Sequence, residues 1–176
     1  HGRVCYHPCE TDCNRKDLDE AVSIHSVERY LGDLAIEKGW QVPQPRRRSG
    51  RRVMVVGSGP AGLSAAYHLA RLGHAVEIFD AGDKPGGMMR YGIPEYRLPR
   101  DVLDAELQRL VALGVVFRQN TPIKDLLATQ RDGAFDAVFV AVGAHISKRV
   151  DLPAADATRV VDAVSFLRDV ASGERP

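Results

Sequence analysis

Two sets of residues in this chain have the types and spacing to do chemistry. The first is Gly57-Ser58-Gly59-Pro60-Ala61-Gly62, a G-x-G-x-x-G run following the apolar stretch Val53-Met54-Val55-Val56 and opening a helical pattern. Each glycine has its own reason. Gly57 permits a tight turn, Gly59 leaves backbone free to approach a pyrophosphate, and Gly62 lets the helix pack closely on its strand. A helix N-terminus there, with Pro60 and Ala61 in its first turn, presents unpaired N–H groups and a positive dipole end to an anion. Asp80 follows 18 residues after Gly62, at the end of a second apolar run, where a carboxylate accepts hydrogen bonds from ribose hydroxyls. The motif, with its strand, helix and acid, points to a dinucleotide; a tight structural turn is the plainer alternative.

The second set is Cys5, Cys9 and Cys13, the chain's three cysteines, all within its first thirteen residues. An odd, clustered count makes a poor disulfide framework and suits metal or redox chemistry in a reducing compartment. The C-x3-C-x3-C spacing shares one face on a helix, or wraps a cluster from a loop. Thiolates are the soft ligands that iron–sulfur clusters use. Zinc, with His7, and inert thiols are the alternatives.

The elements around these sets read as α/β. Short apolar runs at Val53-Met54-Val55-Val56, Ala75-Val76-Glu77-Ile78-Phe79, Val115-Val116-Phe117 and Ala137 to Val142 predict strands. Helical patterns cover residues 60–72, closed by Gly73, 100–113, stopped by Gly114, and 162–170. Such alternation predicts a doubly wound, Rossmann-like domain with a parallel sheet. The first strand, apolar throughout, is expected to be buried on both faces. Ahead of it, Ile24, Val27, Leu31, Leu34 and Ala35 give an amphipathic helix within residues 21–40, ending near Gly39. The linker Gln41-Val42-Pro43-Gln44-Pro45 follows. Residues 1–45 are therefore expected to form a small helical, cysteine-bearing unit and residues 46–176 the dinucleotide-binding domain. The run Arg46-Arg47-Arg48 with Arg51-Arg52 reads as a solvated face, or as a surface that docks an acidic partner or helps attract phosphates.

Composition narrows the classes. The 176 residues are 44% hydrophobic and 27% charged, with a formal net charge of +1, a globular composition with no general affinity for nucleic acid. No apolar run approaches the ~20 residues of a membrane span. The start lacks the apolar core of a signal peptide, so a cytoplasmic location is expected. No Ser-His-Asp set, zincin motif or P-loop lysine is present, and no catalytic residue is assigned. His25, His68 and His74 read as helix-surface or helix-end residues; His145 follows the fourth strand and is a candidate to approach a bound ring.

Several motifs carry a resemblance. Asp80 is followed after five residues by Gly86-Gly87, and Phe135 to Gly143 is a strand ending in a small residue and glycine. Both resemble flavoproteins with two dinucleotide domains, and the resemblance implies FAD, with Gly86, Gly87 and Gly143 near it. Gly86 through Pro99 (GGMMRYGIPEYRLP), Gly2 to Asn14, Val27-Glu28-Arg29 and Asp162 to Leu167 resemble the small (beta) subunit of glutamate synthase and its relatives; dihydropyrimidine dehydrogenase has a similar N-terminal arrangement. The resemblance implies that Cys5, Cys9 and Cys13 are shared between two [4Fe–4S] clusters, with Glu28 on or near a non-cysteine ligand position. It also implies that NAD(P)H reduces the flavin and that electrons pass through the clusters to a catalytic partner subunit. No cysteine motif precedes Cys5 and no second G-x-G-x-x-G follows residue 143, so the chain is expected to be part of a larger protein. The alternatives are an NAD-binding dehydrogenase module with a zinc knuckle, and a non-catalytic docking module.

Overall fold

A computed structural model describes residues 2–144 and 161–174. Four parallel strands make the centre: β1 (Arg52–Val56), β2 (Ala75–Phe79), β3 (Val116–Arg118) and β4 (Ala137–Val140), in the order β3-β2-β1-β4. Helices α1 (Pro8–Thr11) and α2 (Ile24–Glu37) precede the sheet. Then α3 (Pro60–Arg71) joins β1 to β2, α4 (Met88–Tyr91) and α5 (Arg100–Ala112) join β2 to β3, α6 (Leu126–Asp132) joins β3 to β4, and α7 (Ala163–Ala171) comes last. This is the α/β Rossmann-like architecture that the alternating pattern predicts. Parallel neighbours require crossover connections, and each one here runs through at least one helix.

The expected burial of β1 is present. Met54 and Val55 are fully enclosed, and Val53 is nearly so. Val55 joins Ile78 and Val76 of β2, Leu63, Ala66 and Ala70 of α3, and Leu103 and Leu107 of α5 in one core. Just past the end of α3 comes Gly73, whose φ of 89° a side chain would resist and whose Cβ would meet the Arg47 carbonyl at 2.1 Å. The linker lies against this body: Val42 packs on the core and Gln44 Nε2 donates to the Ala112 carbonyl at 2.8 Å.

α2 is shorter than the 21–40 pattern, with Ser23 at its N-cap position and Gly39 in the left-handed region after its end. Of its apolar stripe only Ala35 is buried; Ile24, Val27 and Leu31 are exposed. The N-terminal segment is fastened to α2 by polar contacts. Arg3 pairs with Asp33 at 2.6 Å, and Glu10 pairs with His7 at 3.4 Å while accepting the His25 amide at 2.8 Å. The 162–170 pattern appears as α7, its first turn capped by the Asp162 carboxylate accepting from the amides of Val164 and Ser165. Among the described residues no helix is long and apolar enough to cross a membrane.

Candidate nucleotide site

Strand order reverses at β1, with β2 on one side and β4 on the other. In open α/β sheets such a switch point opens a crevice beyond the carboxyl ends of the strands. A cleft of about 660 Å³ lies there, reached by Val56, Phe79 and Ala141 from the strand ends.

The glycine run forms its floor. Gly57 has φ 103°, and a Cβ on it would strike the Ala141 carbonyl oxygen at 2.3 Å. Gly62 has no room either: its Cβ would lie 1.9 Å from the Gly57 carbonyl oxygen and 3.3 Å from Val55. Gly59 differs, since the nearest atom to a Cβ there is the Gly87 Cα at 4.0 Å. Its backbone therefore faces open cleft, and Gly59 is also the N-cap residue of α3, with Pro60 in the first turn. The first N–H groups of that helix have no intrahelical acceptor, so the cleft is suited to an anion.

Asp80 directly follows β2 and is half-buried. Its Oδ2 accepts from the Ser58 amide and from the Ser58 hydroxyl, each at 2.6 Å, and its Oδ1 accepts from the Gly82 amide at 2.7 Å. Ser58, fully buried, also accepts the Gly86 amide on its carbonyl at 3.0 Å. Ser58 thus joins the glycine turn, the 80–83 loop and the glycine pair. Sequence reading passed over it because it occupies an unspecified position of the motif.

The glycine pair closes the side wall. Gly87 (φ 51°) approaches Gly59 so closely that a Cβ on it would lie 2.7 Å from the Gly59 Cα. α4 then turns Met88 and Tyr91 onto the cleft, and the Tyr91 hydroxyl donates to Asp83 at 2.5 Å. Burial, and then the Asp83 hydrogen bond, push the Tyr91 hydroxyl up to about 12. Opposite, Thr121-Pro122-Ile123 after β3 and Arg168 and Ser172 of α7 complete the lining. None of these was singled out from sequence; they converge only through the crossovers.

Gly57, Gly59, Pro60, Ala61, Asp80, Gly87 and Gly143 therefore meet at one cleft, while Gly62 and Gly86 sit behind its wall. His145 lies outside the described residues.

The sulfur set is arranged differently. Cys5 lies in irregular chain just after the turn at residues 2–4, Cys9 in the four-residue α1 and Cys13 just before a short 3-10 turn, Asn14–Asp17, so the three do not share one helical face. All are free thiols, Cys9 exposed and the others half-buried. The Cys13 thiol lies below its ordinary range because the amides of Val22 and Arg15 favour its thiolate. Glu28 is exposed on α2. Among the described residues no group of three or more His, Cys, Asp or Glu side chains is arranged to hold a metal ion.

Residues 55–129 match the family model of NAD(P)-binding Rossmann-like domains. Over 96% of its length the chain is 38% identical to the NADP(+)-dependent formate dehydrogenase subunit beta of Moorella thermoacetica, covering 27% of that protein. It is 38% identical over 94% of its length to the glutamate synthase [NADPH] small chain of Bacillus subtilis, covering 34% of it. The chain thus spans about a third or less of these relatives. In fold it is similar to Mycobacterium tuberculosis FprA, solved in complex with NADPH, with a TM-score of 0.58 and 23% identity across 70% of this chain and 29% of that one.

Proposed function

Because this chain belongs with the glutamate synthase small chains and related NADPH oxidoreductase beta subunits, we propose that its cleft binds FAD within a larger NAD(P)H-dependent oxidoreductase. The observation that supports the reading is the contact of Gly59 with Gly87 along one wall of the cleft. Two Cβ-free positions face each other at the N-terminus of α3, and this cradle suits a diphosphate bridging two loops. The amides of α3 would hold the diphosphate, and the free acceptor capacity of Asp80 would take a ribose hydroxyl. Bound there, the flavin supplies the chemistry of accepting hydride from a reduced nicotinamide and releasing electrons singly. The residues of this chain bind and orient it and keep water from one side.

Cys5, Cys9 and Cys13, with Glu28, are the candidate ligands for [4Fe–4S] clusters that would carry electrons on to a catalytic partner subunit. That assignment rests on the resemblance of the N-terminal segment. As arranged among the described residues the thiols do not form a cage.

An anaerobic absorption spectrum before and after adding FAD, with iron and zinc assayed on the same sample, tests the reading. A flavin spectrum perturbed on binding is expected, and iron with broad absorbance near ~400 nm adds the cluster assignment. Binding of NADH without FAD, together with stoichiometric zinc, would replace it with the NAD-binding dehydrogenase module.

A further inference from the structure

Among the described residues Arg90 is the one buried arginine, with 6% of its surface exposed, and it does not line the cleft. Its neighbour Tyr91 faces the cleft, whereas Arg90 turns from α4 towards α5. There its Nε donates to the Pro85 carbonyl at 2.7 Å and its terminal nitrogen pairs with the Asp104 carboxylate of α5. The guanidinium stem lies under the glycine pair: a Cβ on Gly86 would meet Arg90 Cβ and Leu103 Cδ2, each at 3.1 Å. A buried cation is tolerated only when its donors are met, and a planar fork can serve a carbonyl and a carboxylate at once. An ammonium on a flexible stem cannot hold both in that geometry.

We propose that Arg90 is a positioning residue for dinucleotide binding, tying the Gly86–Gly87 turn to α5 so that Gly87 stays against the Gly59 backbone and leaves the N-terminus of α3 open to a diphosphate. The inference rests on the dinucleotide reading of the cleft. Arg100 holds the far end of the same segment, its guanidinium donating to the carbonyls of Met89 at 3.0 Å, Ile93 at 2.9 Å and Leu98 at 3.3 Å. The segment from Pro85 to Leu98 is thus braced at two points, while its Gly87, Met88 and Tyr91 line the cleft.

The test compares Arg90→Lys, Arg90→Met and Asp104→Asn in the intact chain, reading FAD and NADH affinity, the melting midpoint, and ligand-free amide hydrogen exchange. Arg90→Met is expected to weaken binding on the order of tenfold or more, as the loss of a charged hydrogen-bond pair implies. Arg90→Lys, which keeps charge and stem, is expected to restore much of the melting midpoint but not the affinity. That split is one a merely structural role would not produce. Asp104→Asn, at a half-exposed side chain, keeps the fold and is expected to raise exchange at residues 85–92 and weaken binding severalfold, with β1 and α3 amides unchanged.

Wild-type affinity in Arg90→Lys and Asp104→Asn would overturn the positioning role and leave the cleft's function standing. A wild-type chain that binds NADH but not FAD would remove the flavin reading alone, and the same comparison on NADH then decides Arg90. Failure of the wild type to bind either nucleotide would overturn both.

Discussion

One oxygen of Asp80 receives two hydrogen bonds from one residue: the amide and the hydroxyl of Ser58 both reach Oδ2 at 2.6 Å. With the Gly82 amide on Oδ1, three of roughly four acceptor positions of the carboxylate are occupied by the protein. Asp80 is therefore a structural tie between the glycine turn and the end of β2, with about one acceptor position left for a ribose hydroxyl. Asp80→Asn puts an NH₂ group among donors and is expected to cost about 1.5–3 kcal/mol in urea unfolding, with loss of dinucleotide binding. Ser58→Ala keeps the amide bond and is expected to cost about 1 kcal/mol. Equal stability of Asp80→Asn and wild type would show that the tie contributes nothing.

The two glycines bracketing the first turn of α3 should separate folding from binding. An alanine at Gly62 would drive its Cβ into the Gly57 carbonyl, while an alanine at Gly59 meets nothing closer than 4.0 Å. Gly62→Ala is expected to destabilise the chain by about 1–3 kcal/mol, as overpacking does. Gly59→Ala is expected to unfold at the wild-type midpoint yet bind dinucleotide more weakly, because its methyl group occupies the open cleft. Thermal melts alongside FAD and NADH titrations check the contrast; a stable Gly62→Ala would contradict the packing described here.

The difference between those glycines also marks what a linear reading can reach. The turn at Gly57 and the close packing at Gly62 are local demands of a strand entering a helix, so residue type at fixed spacing displays them. The buried centre of β1 is legible for the same reason, since four consecutive apolar residues leave no solvent face. Ser58 and Asp80 are 22 positions apart, and Arg90 and Asp104 are 14 apart. Nothing in their spacing says that they meet, because the intervening helix and loops decide it. α6 went unread although Asp125 caps it, accepting the Ala128 amide at 2.9 Å, because seven residues give too few turns for a periodic signal. On β4 the reading of an apolar strand holds, but Phe139 and Val140 are exposed, β4 being an edge strand among the described residues.

Tyr91 and Asp83 join α4 to the loop after β2, and their titration reports on that contact. With its hydroxyl pushed up to about 12 by burial and by Asp83, Tyr91 is expected to ionise in a late step, above the ordinary tyrosine range. A hydroxyl with a raised pKa contributes stability below its ordinary range and loses it as pH rises through the folded value, so the contact opens only in strong alkali. Asp83→Asn should lower the ionisation point of Tyr91, and Tyr91→Phe should remove the late step from an alkaline absorbance titration. An unchanged late step in Tyr91→Phe would assign it to another tyrosine.

Asp136 fastens the starts of β1 and β4, and it gives the sheet an acid-sensitive edge. Its Oδ2 accepts the Arg52 amide at 2.8 Å and its Oδ1 the Arg51 guanidinium at 2.7 Å; its own amide donates to the Arg52 carbonyl at 2.9 Å. The Arg52 amide, and then the Arg51 guanidinium, hold its carboxyl below the usual range. A depressed carboxyl pKa contributes stability above the unfolded value and loses it as pH falls through the folded one. Wild type is therefore expected to exceed Asp136→Asn in urea midpoint at neutral pH, with the gap closing as acid protonates the carboxylate below its ordinary range. Added salt should narrow the part due to Arg51, which is exposed, and leave the amide contribution in place. A gap constant from neutral pH down to strong acid would mean that the side chain acts through its shape and not its charge.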